Sequence, residues 1–183
     1  YERNGSMKTL YKNLTVYSEN DEIKADVLVD GDTIAEVAEN IDCDADLVYD
    51  CSGLSAFPAL CDIHVHFRDP GFTYKEDVVT GCHAAAAGGF TAVACMPNTK
   101  PVCDSVEIAD YIMKKAEPTG VKVYPVCAVT KGMNGAEAAD YDEYVKAGIK
   151  MISDDGRPVE NTKYLSDAMK KAPKLGMTIV AHC

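Results

Sequence analysis

The chain has 183 residues, 47% of them hydrophobic, enough for one ordinary core or for a small domain plus part of a larger one. Its 29 acidic and 18 basic side chains give a formal net charge of −11, which excludes the basic stripe that a nucleic-acid or anionic-membrane partner requires; an anionic substrate would have to be attracted locally. No apolar run reaches the length of a membrane span and no charged-then-apolar signal segment opens the chain, so a cytoplasmic protein is expected.

Residues 1–6, Tyr1 to Ser6, read as a cloning remnant ahead of a natural start at Met7. Residues 7–57 alternate apolar runs (Leu10 to Val16, Ala25 to Val29, Thr33 to Val37, Leu47 to Tyr49) with turn signals such as Asp30-Gly31-Asp32, which predicts a small all-β unit. After Gly53 the rhythm becomes strand, helix, strand, helix. Strands are predicted near 59–64, 91–96, 122–128, 150–153 and 178–181, with helices near 75–87, 105–116, 136–147 and 162–175. Thr73-Tyr-Lys-Glu76 fits a capping box for the first helix, Gly88-Gly89 and Gly148 fit C-terminal stops, and Pro118 follows the second helix. Five strands alternating with four helices predict a parallel sheet, and strands apolar nearly throughout predict that both of its faces are covered.

Eight cysteines (Cys43, Cys51, Cys61, Cys82, Cys95, Cys103, Cys127 and Cys183) are scattered without a CxxC pair, several inside apolar runs such as Ala92 to Met96. Reduced, buried thiols are expected rather than a disulfide framework or a zinc ribbon.

The chemistry concentrates at strand ends. His64, His66 and Arg68 stand at every second residue, so a strand turns all three to one side. Neutral imidazoles suit a zinc-type metal, and a planar guanidinium suits bidentate capture of a carboxylate. Asn98 follows the second strand, Asp154-Asp155 the fourth and His182 the fifth. Open doubly wound sheets and (β/α)8 barrels both fit the element order. Chemistry at the C-terminal ends of several strands favours the barrel, and no GxGxxG or GxxxxGK[ST] supports a nucleotide site. His83 reads as an ordinary helix-face histidine, Asp69-Pro70-Gly71 as a turn, and Lys75 and Glu76 as first-turn helix residues.

His64-Val-His66-Phe-Arg68-Asp-Pro-Gly71 is followed by Ala85 to Thr91, Met96-Pro-Asn98-Thr99, Ser153-Asp-Asp155-Gly156 and Val180-Ala-His182-Cys183. In order and spacing this set resembles the class I dihydroorotases of the amidohydrolase superfamily, over about residues 7–183. The resemblance implies an α/β fold: the N-terminal part of a (β/α)8 TIM-type barrel, about five strands of it in 58–183, preceded by the N-terminal strands of a small β-sandwich in 7–57. It implies that His64 and His66 bind a first metal, that an aspartate after the fourth strand bridges two metals, and that His182 binds the second. Asp155 is preferred over Asp154 because its separation of 27 residues from His182 agrees with the family pattern. Hydantoinases and allantoinases usually carry a carboxylated lysine as the bridging ligand, and hydantoinases lack the arginine after HxH, so both are disfavoured as alternatives.

The implied reaction is reversible interconversion of N-carbamoyl-L-aspartate and L-dihydroorotate in pyrimidine biosynthesis, by metal-activated hydroxide attack on the cyclic amide. Arg68 and Asn98 would hold the substrate carboxylate. Zinc is the default metal, one or two per site, with other divalent ions able to replace it. The general-base aspartate and a further histidine ligand are expected beyond Cys183, so the chain reads as truncated and inactive by itself. A homodimer or association with a transcarbamoylase is a family expectation. A relative that has lost catalysis and serves as an assembly partner is a competing reading, which retention of His64, His66, Asp155 and His182 disfavours.

Overall fold

The computed structural model describes residues 6–157, 159 and 161–182, so most of the expected N-terminal remnant, and Cys183, lie outside the described residues. The chain divides into two compact units, residues 1–58 and 59–183.

In the first unit, β1 (Lys8–Tyr17), β2 (Glu22–Asp30), β3 (Thr33–Ala38), β4 (Leu47–Asp50) and β5 (Ser55–Ala56) form one sheet in the order β3-β2-β1-β4, with β5 also on β1. β1 and β3 run antiparallel to β2, whereas β4 and β5 run parallel to β1. Leu28 packs with Leu10 and Ile41 while its neighbour Val27 packs with Leu14 and Cys51, so each sheet face carries its own small apolar cluster. The β1–β2 register shifts at Asn13, whose φ of 63° is left-handed. Two bonds hold that bulge: the Asn13 N–H donates to Asp26 Oδ1 at 2.9 Å and its side-chain amide to Asp50 Oδ1 at 2.9 Å.

In the second unit, β6 (Leu60–Val65), β7 (Phe90–Cys95), β8 (Lys122–Cys127), β9 (Met151–Ile152) and β10 (Thr178–Ile179) are all parallel and pair strictly in chain order. A doubly wound sheet reverses strand order at its switch point, and this sheet does not. Between the strands lie α1 (Val78–Ala87), α2 (Val106–Ala116), α3 (Tyr141–Lys146) and α4 (Thr162–Lys171). The architecture is the first part of a (β/α)8 barrel. Val93, Ile112, Cys127, Tyr144 and Ile152 belong to one buried cluster, shared by strands and helices. Ala94, Met96 and Val126, from the alternate strand positions, form a second.

Several expectations need correction. The first helix starts at Val78, not Lys75, because Asp77 is the cap: its Oδ1 accepts the Val79 and Thr80 N–H groups at 2.8 and 3.0 Å. Glu76, expected to close a capping box on Thr73, accepts instead from the Asp77 N–H and the Thr80 hydroxyl. The third helix shrinks to Tyr141–Lys146 since residues 130–139 fold back as a loop. Lys131 N donates to Glu137 O at 2.9 Å, Ala139 N to Val129 O at 3.0 Å, and Asp140 caps what remains. The fourth ends at Lys171 and continues as a 3₁₀ turn, Pro173–Leu175. The expectation of strands covered on both faces fails for β6, where Ile63 is 66% exposed; among the described residues β6 pairs only with β7 and forms an edge. Cys43 and Cys61 are exposed rather than buried. The other described thiols are buried, and burial pushes that of Cys95 up to about 12. His83 is exposed on α1, as an ordinary helix-face histidine should be.

Candidate active site

The strand geometry delivers His64 and His66 to one side of β6, with ring centroids 5.1 Å apart. Opposite them is the turn after β9. There the adjacent aspartates take different jobs. Asp154 accepts the Val129 N–H at 2.7 Å, the Thr130 N–H at 3.1 Å and the Thr130 hydroxyl at 2.5 Å, tying the turn to the end of β8. Its neighbour Asp155 is thereby turned toward the histidines. Asp155 Oδ1 lies 3.4 Å from His64 Nε2 and 3.1 Å from His182 Nδ1, and Oδ2 lies 3.4 Å from His66 Nε2.

Asn98, three residues past β7, joins the same group. Its Oδ1 is 2.9 Å from His66 Nδ1 and its Nδ2 donates to Asp155 Oδ2 at 3.3 Å. With Nδ1–H donating to that amide oxygen, His66 presents the Nε2 lone pair toward Asp155. One ligand atom each of His64, His66 and Asp155 lies within 4.8 Å of the others. Imidazole lone pairs aimed at a carboxylate repel it unless a cation or proton lies between them. The nitrogen-and-oxygen donor set therefore fits a divalent metal of the zinc type. His182, on the other side of Asp155 Oδ1, is the fourth group in reach.

Arg68 occupies a left-handed backbone position, φ 56°, and among the described residues has no carboxylate within ion-pairing distance. It lines a cavity of about 370 Å³ together with Asn98 and Asp155, so a guanidinium, an amide and the candidate ligand share one space. The site residues anticipated from the chain are thus brought together, with Asn98 additionally bonded to the ligand residues.

Sequence reasoning missed Lys75, Lys100, Arg157 and Met133, all of which line that cavity. Lys75 was placed in a helix, but α1 starts three residues later and leaves Lys75 in the preceding turn. Nothing in local spacing marks Lys100 or Arg157. Met133 sits in the folded-back loop with φ 52°, its N–H donating to Thr130 O at 2.9 Å.

Residues 54–183 match the family model described as dihydro-orotase-like. A dihydroorotase of Geotalea daltonii is 47% identical over 167 residues, covering 90% of this chain and 39% of that protein. A dihydroorotase of Ruminiclostridium cellulolyticum is 44% identical over 181 residues, covering 97% and 42% respectively. The chain spans about two fifths of the length of these relatives. Among solved structures, the L-hydantoinase (dihydropyrimidinase) of Arthrobacter aurescens superposes with a TM-score of 0.78 at 21% identity, over 95% of this chain and 40% of that one. The dihydropyrimidinase of Brevibacillus agri NCHU1002 gives 0.70 at 20% identity, over 96% and 40%. These structural likenesses show the fold.

Proposed function

Because the chain belongs to the dihydro-orotase-like family, we propose that it provides the metal and carboxylate-binding half of a cytoplasmic dihydroorotase, which interconverts N-carbamoyl-L-aspartate and L-dihydroorotate in pyrimidine synthesis. One observation carries the reading: Arg68, which has no carboxylate partner among the described residues, lines the same cavity as Asp155 and Asn98. A ring amide that also bears a carboxylate needs such a pairing of anion clamp and electrophile-activating centre.

In the hydrolytic direction the oxygen of water bonds to the ring carbonyl carbon, the carbon–nitrogen bond breaks, and a proton passes to the leaving nitrogen. His64, His66 and Asp155 would hold one divalent metal, zinc by default, and His182 with Asp155 a second. When bound, such a metal lowers the pKa of water to about 7 and polarises the carbonyl. Arg68 and Asn98 orient the substrate carboxylate and so place the reacting carbon, and Asn98 also fixes the His66 ring. The proton carrier is assigned to an aspartate outside residues 1–183. A homodimer, or association with a transcarbamoylase, belongs to the same proposal, and the size of the full-length protein in solution tests it.

The deciding experiment is turnover by the purified full-length gene product on L-dihydroorotate, hydantoin and allantoin, with and without chelator. Chelator-sensitive turnover confined to dihydroorotate is expected. Preference for hydantoin or allantoin would assign another cyclic amide, and metal-replete protein inert on all three would support a non-catalytic relative.

A further inference from the structure

Directly after Arg68 the chain buries a carboxylate. Asp69 is 0% exposed and is satisfied from three directions. Its Oδ2 accepts the Lys115 ammonium at 2.6 Å and the Val78 N–H at the start of α1 at 3.2 Å, and its Oδ1 accepts the Tyr111 hydroxyl at 3.0 Å. Tyr111 and Lys115 stand one turn apart on α2, and the Lys115 ammonium is also 3.3 Å from the Tyr111 oxygen. Neither residue lines the cavity.

The opposite side of the same turn is pinned to the loop after β7. Lys100 N donates to Pro70 O at 2.9 Å, and Phe72 N to Arg68 O at 2.8 Å. At Gly71, φ 95°, a Cβ would stand 2.1 Å from Lys100 O, so the two loops touch backbone to backbone. Arg68 is therefore held at a positive φ between two anchors, one of which is the ion pair between the buried Asp69 carboxylate and the half-buried Lys115. A non-glycine residue in that region is strained and persists only where its surroundings over-determine it. Here Asp69 supplies the determination next door.

We infer that the Asp69–Tyr111–Lys115 cluster is a positioning device for Arg68: α2 grips the carboxylate of Asp69, and that grip sets the direction in which the Arg68 guanidinium meets a substrate carboxylate. Asp69 is a positioning residue and touches no substrate. A buried charge of this kind is not needed for packing, since apolar groups of similar volume fill such space as well or better. Fixing the orientation of its neighbour gives the charge a role. The inference rests on the reading of Arg68 as the carboxylate clamp.

The test is steady-state kinetics of full-length protein carrying Lys115→Met, Tyr111→Phe or Lys115→Arg, with L-dihydroorotate as substrate and with metal content measured alongside. These substitutions leave the cavity lining intact and, unlike removal of Asp69, strand no backbone amide. For Lys115→Met we expect KM to rise about tenfold, kcat to stay within about twofold and metal content to stay unchanged; a loss of uniform binding gives this split. Tyr111→Phe should move KM in the same direction by less, and Lys115→Arg should restore most of the loss. A purely structural role predicts the reverse, fewer active molecules with lower kcat and unchanged KM, and that result overturns the inference. If the unsubstituted protein does not turn over dihydroorotate, the functional reading falls and the inference with it. An active parent whose KM is unmoved by Lys115→Met removes the inference alone.

Discussion

Asn98 Oδ1 lies 2.9 Å from His66 Nδ1, so the residue anticipated as a substrate contact is also the hydrogen-bond partner of a candidate metal ligand. Outer partners of this kind commonly contribute 10–100-fold to metal affinity. Asn98→Ala should therefore weaken zinc binding by about that factor as well as raise KM. Competition with a chromophoric chelator measures the first effect without any turnover. Unchanged zinc affinity would leave Asn98 as a substrate residue only.

The two roles of Asn98 show where the sequence stops being informative. HxH is written in covalent spacing, and strand alternation converts spacing of two into a shared side, so His64 and His66 were legible; Arg68, expected on the same strand face, lies three residues past the end of β6 at φ 56°, where the turn and not the strand sets its direction. Asp154 and Asp155 are chemically alike and adjacent; what separates them is that Val129 and Thr130 offer donors to one and not the other. That distinction exists only once β8 lies beside β9. The same holds for Lys75, whose place depends on whether Thr73 or Asp77 caps α1. Both can cap, and the competition was settled by Asp77 accepting two amides. Strand order was legible from the alternation of elements.

Thr130→Val tests the division of labour between the two aspartates. Deleting the hydroxyl leaves the buried Asp154 carboxylate with two donors instead of three. Loss of a hydrogen bond to a charged group should cost about 2 kcal/mol of stability, read from denaturant unfolding. The metal site should also loosen, because Asp155 is placed by the same turn. Stability unchanged within error would show that Asp154 does not anchor it.

Gly71→Ala and Gly81→Ala probe two close approaches. At Gly71 the new methyl would meet the Lys100 carbonyl at 2.1 Å with φ at 95°, and at Gly81 it would meet the Phe67 ring at 2.4 Å. Backbone has nowhere to go in the first case, while a ring can shift in the second. Gly71→Ala should be the more damaging, destabilising by about 3 kcal/mol or more, and Gly81→Ala by about 1–3 kcal/mol. Thermal unfolding of the two variants compares them directly, and the reverse order would contradict the rigidity of the Arg68–Gly71 turn.

Charge at the cavity predicts a flatter salt response than the net charge of the chain alone suggests. The chain carries a net −11 and should repel an anionic substrate at long range, yet among the described residues the cavity is lined by Arg68, Lys75, Lys100 and Arg157 against one carboxylate, that of Asp155. At physiological ionic strength the Debye length is about 8 Å, so salt screens the distant surface acids and, in a cavity open to solvent, weakens the pull of the lining cations as well. Raising salt from low to physiological levels should therefore leave KM for dihydroorotate nearly flat, because the repulsion and the attraction weaken together. Neutralising one lining cation should expose the imbalance. In Lys75→Gln the remaining field at low salt is more repulsive, so KM should be raised several-fold there and fall toward the parent value as salt is added. A KM ratio between Lys75→Gln and the parent that stays at one across the salt range would show that Lys75 lines the cavity without helping to fill it.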